Sequence, residues 1–252
     1  MFWDDVAWIY DVFANIINRK ANKAMCAAVE RLISPIDDVL ECACGTGLLT
    51  GVIAPRCKRL TATDFSVKML KRAERKYGKY ANVRFEQADI LGLAYSDGCF
   101  DTVVAANIIH LLDEPYKALH ELERVCKPGG RIIIPTYLNQ KDNGKTNGVS
   151  GAIGKAGADF KRKFTFDAYK QFFFEAGYPK AEYVLCRGSI PCALAILHRK
   201  KTKHIELRHC AGLCRRNSET VCFTVYSECF FCFNHRIMLP NGFCPGWPKA
   251  LF

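Results

Sequence analysis

The fold class predicted for this chain of 252 residues is α/β, a doubly wound and mostly parallel sheet, and three observations predict it. Short apolar runs alternate with stretches of helical period across residues 38–136. The runs are nearly continuous in apolar residues, as strands covered by helices on both faces are. The first run ends in Gly45-Thr46-Gly47 directly before a helical stretch, a turn that lets the backbone approach a ligand closely.

Asp11 to Ile33 reads as a helix, with Ala21, Met25, Ala28, Val29 and Leu32 recurring at three- and four-residue steps and Ser34-Pro35 closing it. Val39-Leu40-Glu41-Cys42 is the first strand, and a helical stretch starts at Leu48. A second strand ends at Thr63-Asp64, and Ser66 can cap a helix that places Leu70, Ala73 and Tyr77 on one face. Val83-Arg84-Phe85 and Phe100 to Ala106 are the next strands. Pro115 opens a helix with Ala118, Leu119, Leu122 and Val125 inward, and Lys127-Pro128-Gly129-Gly130 is a turn before a strand from Arg131 to Pro135. Asn139 to Gly157 lacks periodicity and reads as a mobile loop. Phe166 to Ala176 returns to helix with Gly177 as its stop. Tyr183 to Cys186 and Cys192 to Leu197 read as a closing antiparallel pair. One domain ends near Lys200, and residues 201–252 read as an irregular extension.

Composition narrows the class. Half the residues are apolar and about a quarter charged, as in soluble globular chains. No eighteen-residue apolar stretch occurs, so no membrane insertion is expected. The acidic start Met1-Phe2-Trp3-Asp4-Asp5 does not read as an export signal, and a cytoplasmic location is expected. The net charge of +11 invites a nucleic-acid partner. Yet Lys68, Lys71, Arg72, Arg75, Lys76 and Lys79 follow the pattern of a solvated helix face, so a nucleic-acid partner is the weaker reading. Eight of the 14 cysteines are scattered over residues 1–200, which suits reduced thiols used as small hydrophobes.

Chemistry concentrates after the strands. Asp64 stands 19 residues beyond Gly45, where a carboxylate can accept from both hydroxyls of a ribose. A dinucleotide site would want Gly-x-Gly-x-x-Gly, but position 50 is Thr and the third glycine is delayed to Gly51. Glu41 before the loop is unfavourable beside a pyrophosphate and favourable beside a cation. A nicotinamide dehydrogenase is therefore the less favoured nucleotide class.

The ordered set Val39 to Gly47, Ala62-Thr63-Asp64-Phe65-Ser66, Gln87-Ala88-Asp89-Ile90, Phe100 to Asn107 and Lys127-Pro128-Gly129-Gly130-Arg131 resembles the class I S-adenosylmethionine-dependent methyltransferases. The likeness is particular to the group that includes the menaquinone/ubiquinone-biosynthesis C-methyltransferases. Val6 to Asp11 is similar to the segment preceding the fold there, and the likeness stops near residue 200. It implies a seven-stranded Rossmann-like methyltransferase fold with the seventh strand antiparallel, S-adenosyl-L-methionine as cofactor and a small-molecule acceptor. It also implies roles. Glu41, Ala43, Gly45 and Gly47 would border the methionine and ribose, Asp64 would hold the ribose and Phe65 would lie beside the adenine. Asp89 and Ile90 would meet the adenine, Asn107 would sit near the methionine end and Tyr10 would close over the cofactor. Ala43 stands where that family usually has glycine. No Asn/Asp-Pro-Pro-Tyr follows the fourth strand, which argues against methylation of an exocyclic base amine.

Methyl transfer is a displacement at a carbon already activated by sulfur, so positioning supplies most of the rate. A base is needed only when the acceptor must lose a proton, and His110 is the catalytic candidate, with Tyr137 behind it. Lys161, Arg162 and Lys163 beside Phe164, Phe166, Phe172, Phe173 and Phe174 fit either a lid over a flat acceptor or a helix packing its Phe face on the sheet. An RNA- or protein-directed methyltransferase and a non-catalytic cofactor-binding protein are the alternatives. The tail carries Cys229-Phe230-Phe231-Cys232 and His235, but its spacing matches no zinc module, and no metal site is expected.

Overall fold

The computed structural model describes residues 18–138 and 161–200. Tyr10, the 139–157 loop and the extension from 201 therefore lie outside the described residues. Seven strands form one sheet in the order β3-β2-β1-β4-β5-β7-β6, where β1 is Asp38–Cys42, β2 Arg59–Asp64, β3 Val83–Gln87, β4 Phe100–Ala105, β5 Cys126–Tyr137, β6 Glu182–Cys186 and β7 Cys192–His198. β1 to β5 pair in parallel, and β7 runs antiparallel to both β5 and β6. This is the predicted doubly wound sheet with its reversed seventh strand.

Among the described residues five helices flank it: α1 (Arg19–Leu32), α2 (Thr50–Ile53), α3 (Val67–Tyr77), α4 (Pro115–Val125) and α5 (Phe166–Glu175). Strand alternation divides the core. Val39, Leu60, Ala62, Val104 and Ile133 meet Met25 and Val29 of α1, Ile53 of α2 and Leu70 and Ala73 of α3. Leu40, Val103, Ile132 and Ile134 face the other way, onto Leu119 and Leu122 of α4 and Tyr169, Phe172 and Phe173 of α5. The phenylalanines of α5 are thus largely sheet packing, with Phe174 exposed. Local chemistry sets the ends. Ser66 Oγ accepts from Met69 N–H at 3.1 Å and Thr165 Oγ1 from Ala168 N–H at 3.1 Å, each satisfying a helix-start donor.

One departure from the expected elements has a physical cause. β5 begins at Cys126 and runs through the expected Lys127–Gly130 turn. Gly129 N–H donates to Arg199 C=O and Arg199 N–H to Gly130 C=O, each at 3.0 Å, so pairing with the chain after β7 continues across it. A register shift between Phe100 and Thr102 absorbs the irregularity. The segment joining β3 to β4 contains no helix.

At the start of α1 a buried amide ties distant parts of the chain together. Asn18 Nδ2 donates to Ile190 C=O and Asn18 Oδ1 accepts from Ile190 N–H, both at 3.0 Å. A Cβ on Gly188 would stand 2.6 Å from Ala21 Cβ and 2.9 Å from Ala21 N, so the β6–β7 turn lies directly on the helix backbone. All eight cysteines among the described residues are free thiols, and burial pushes Cys26 up to about 11 and Cys42 up to about 12. None of the helices described is long and apolar enough to cross a membrane.

Candidate active site

Because β1 to β4 are parallel, their carboxyl ends share one edge of the sheet. Strand order reverses between β1 and β4, and ligand crevices open at such switch points. A cavity of about 340 Å³ lies there, within the roughly 300–1,000 Å³ of small-molecule sites. The turn after β1 contributes Ala43 and Gly45, that after β2 Asp64 and Phe65, that after β3 Asp89 and Ile90, and that after β4 Asn107. The structure thus brings these seven sequence-selected residues around one space.

Asp64 organises two of those turns. Its Oδ2 accepts from Gly45 N–H at 2.8 Å and its Oδ1 from Ser66 N–H at 2.8 Å. A carboxylate accepts from about four donors, so it can fix the loop and receive ligand hydroxyls together. Cys44 N–H to Thr63 C=O at 2.9 Å closes the same junction. Gly45 has φ +57°, and no atom lies within 4 Å of where its Cβ would stand, so the loop leaves room there. Phe65 is half exposed over the cavity rim, and Gln87 Nε2 braces its carbonyl at 3.0 Å. Asp89 Oδ1 accepts from Leu91 N–H at 2.9 Å.

Asn107 closes the opposite side. Its N–H donates to Pro135 C=O at 2.7 Å, and its Oδ1 accepts from Tyr137 N–H at 3.0 Å, which locks it to the end of β5. Tyr137 itself is buried, and its hydroxyl donates to Asn22 Oδ1 at 2.6 Å.

Besides Tyr137, three sequence candidates do not line this cavity, each for a traceable reason. Glu41 points to the α1–α3 face, where it is buried and accepts from Thr50 Oγ1 at 2.7 Å; burial raises its carboxyl to about 8. Gly47, with φ +90°, faces the Tyr77 ring, whose atoms lie 2.6 and 2.7 Å from where a Cβ would stand. That glycine lets α3 approach the loop. His110 sits in a short 3-10 turn (Ile109–Leu111) and points inward. Burial drives its imidazole down to about 4.

Its neighbours Ile108, Leu111 and Leu112 line the cavity instead, with Ala106 and Met69, and sequence reasoning missed them. The available signal was position, since they follow the carboxyl end of β4. Of the basic residues before α5, Lys161 pairs with Asp113 at 3.2 Å, while Arg162 donates through N–H to His110 C=O at 3.1 Å and through Nη1 to Leu112 C=O at 2.7 Å. They strap the turn that carries this apolar wall. Among the described residues no group of three His, Cys, Asp or Glu is placed to hold a metal.

Residues 40–134 match a family model described as a methyltransferase domain, which bears out the resemblance drawn from the five motifs. The chain is 33% identical over 134 residues to a demethylmenaquinone methyltransferase of Clavibacter sepedonicus, covering 52% of this chain and 55% of that protein. It is 34% identical over 120 residues to a phosphatidylethanolamine N-methyltransferase of Cereibacter sphaeroides, covering 46% and 58%. The chain thus spans little more than half the length of these curated relatives. The fold is shared with the N-methyltransferase NodS of Bradyrhizobium japonicum, solved with S-adenosyl-L-homocysteine, at a TM-score of 0.55 and 20% identity over 70% of this chain and 86% of that one.

Proposed function

We propose that this chain is an S-adenosylmethionine-dependent methyltransferase acting on a small-molecule acceptor. The observation that carries the reading is the convergence of Gly45, Asp64, Asp89 and Asn107, one from the end of each of β1 to β4, on a single cavity. The residues suit the cofactor. Two carboxylates face a space beside a glycine whose Cβ position is open, and among the described residues neither Lys nor Arg lines it, which suits a ligand bearing positive sulfur and an ammonium. Asp64 would accept from the ribose hydroxyls, Phe65 would cover the adenine, Asp89 would accept from its exocyclic amine, and Asn107 would border the methionine end.

When bound, S-adenosylmethionine supplies an electrophilic methyl group. The protein's own contribution is placement. The strapped wall of Ile108, Leu111 and Leu112 is apolar and favours an acceptor with apolar surface. His110, buried and neutral behind that wall, supports the turn rather than taking a proton from the acceptor. The relatives named above carry the names of demethylmenaquinone and phosphatidylethanolamine, which agrees with a small acceptor of apolar character.

Calorimetric titration with S-adenosylhomocysteine, beside NADH and an Asp64→Ala variant, tests the cofactor assignment. Binding of the first, lost in the variant, is expected. Heat from NADH alone, or none from either with folded protein, removes the reading. An acceptor screen over a range of salt concentrations tests the small-molecule assignment, because a nucleic-acid substrate would lose affinity steeply as salt rises.

A further inference from the structure

One wall of the cavity, Ala88-Asp89-Ile90, begins the segment 88–99 between β3 and β4. Crossovers between parallel strands are usually helical, and a helix satisfies its own backbone. This one contains no helix, so its amides and carbonyls must find partners elsewhere.

They find them on α4. Arg124 Nη2 donates to Leu93 C=O at 2.7 Å and Nη1 to Tyr95 C=O at 2.6 Å. Glu121 Oε2 accepts from Leu93 N–H at 2.9 Å. The two side chains are joined by Arg124 Nε to Glu121 Oε1 at 2.9 Å and Nη2 to Oε2 at 2.8 Å, the paired geometry that fixes a guanidinium plane. Arg124 also reaches Asp97 at 2.8 Å, but that carboxylate is 74% exposed and adds little. The segment's end is tied to the same residue by its main chain, with Gly98 N–H donating to Arg124 C=O at 2.8 Å. Tyr95 OH donates to Glu86 Oε2 on β3 at 2.7 Å, which ties the held stretch back to the strand before it. Asp89 is linked to this held stretch through Leu91 N–H on its carboxylate and Gly92 N–H on its carbonyl at 3.1 Å.

We propose that Arg124, oriented by Glu121, is a positioning residue for the cofactor: by clamping residues 93–97 it sets Asp89 and Ile90 against the adenine. The inference rests on the methyltransferase reading above. It assigns adenine selectivity to a side chain that does not line the cavity. Lysine cannot replace arginine here, because one ammonium cannot span two carbonyls and a paired carboxylate in a fixed plane.

The test compares wild type with Arg124→Met, Arg124→Lys and Glu121→Gln by titration with S-adenosylhomocysteine and with S-inosylhomocysteine, in which a carbonyl replaces the exocyclic amine. Circular dichroism and urea melts follow the fold. The expected result is at least tenfold weaker binding of the adenosyl ligand in folded Arg124→Met, with a smaller loss for the inosyl ligand. The adenine preference then collapses, and Arg124→Lys falls between. A purely structural role would weaken both ligands equally, and that outcome overturns the proposal, as does unchanged affinity. Should Arg124→Met fail to fold, Glu121→Gln, which keeps side-chain shape, must show the same loss of preference or the proposal falls. Failure of wild type to bind S-adenosylhomocysteine overturns the function reading and this inference together, whereas an insensitive variant of a binding wild type overturns this inference alone.

Discussion

Ala43 and Asn107, at the carboxyl ends of the neighbouring strands β1 and β4, both hold left-handed backbone, with φ of 53° and 54°. They are the non-glycine residues with positive φ among the described residues, and both line the cavity. Left-handed backbone costs an L-residue about 1–2 kcal/mol, less for asparagine. Such strain gathers where a site dictates the chain's path. Ala43→Gly removes the Cβ penalty at a smaller entropic cost and should raise stability by about 0.5–1 kcal/mol. Asn107→Ala loses both asparagine's tolerance and the bond to Tyr137 N–H, and should lower stability by about 1–3 kcal/mol. Urea unfolding of both variants checks the pair; equal effects of the same sign would contradict the assignment.

Glu41 makes stability fall as pH rises. Its carboxyl is raised to about 8 in the folded chain, chiefly by burial, from an ordinary value of 4.5. The folded state therefore binds the proton more tightly, and its stabilising contribution is complete below pH 4.5 and lost as pH climbs through about 8. Glu41→Gln, which keeps the contact with Thr50 Oγ1, should flatten the decline between those values. A pH series of urea midpoints reads it directly, and an unchanged slope in the variant would count against a buried neutral carboxyl.

His110 acts at the acid end with the opposite sign. Its imidazole is lowered to about 4 from 6.5 by burial alone. The folded chain resists protonation, so stability is full above 6.5 and falls as pH drops toward 4. Replacing His110 with glutamine should remove that acid loss while leaving S-adenosylhomocysteine affinity within about threefold, because the imidazole does not line the cavity. A large loss of affinity at neutral pH in a folded variant would return His110 to the site.

Gly45 and Gly47 should separate by phenotype. A methyl on Gly47 meets the Tyr77 ring, whereas one on Gly45 meets nothing within 4 Å. Gly47→Ala should cost about 1–3 kcal/mol of stability and be partly rescued by Tyr77→Leu. Gly45→Ala should carry the left-handed backbone penalty of about 1–2 kcal/mol, gain nothing from Tyr77→Leu, and in addition weaken S-adenosylhomocysteine binding. Rescue absent from the Gly47→Ala/Tyr77→Leu double variant would refute the packing role.

The strands were legible because both faces of this sheet are covered, leaving runs such as Val103-Val104-Ala105 without polar interruption. Caps were legible where one side chain decides, as at Ser66 and Gly177. The cavity was legible through its strand-end positions, since parallel strands must bring their carboxyl ends together. Membership was less so. Glu41 and Gly47 flank the residues that line the cavity, and only the turn's path and the approach of Tyr77 decide which way each faces. The inward direction of His110 depends on the strap from Arg162, whose sequence separation hides it. Nothing in an alanine signals left-handed backbone at position 43, whereas Asn107 is a residue that tolerates it. The helix-free 88–99 segment was opaque because its order comes from α4 and not from its own periodicity.

The grip of Asn18 on Ile190 spans 172 positions, and this sets an order of events in folding. A chain made from its amino end can pack Met25 and Val29 on the parallel strands, but it cannot complete the seat of α1 until the β6–β7 turn has emerged. Contacts of such long separation form late, after loop closure has been paid for. Asn18→Ala should therefore speed unfolding and leave the refolding rate nearly unchanged. Stopped-flow kinetics showing slowed refolding would instead place this tether in the nucleus.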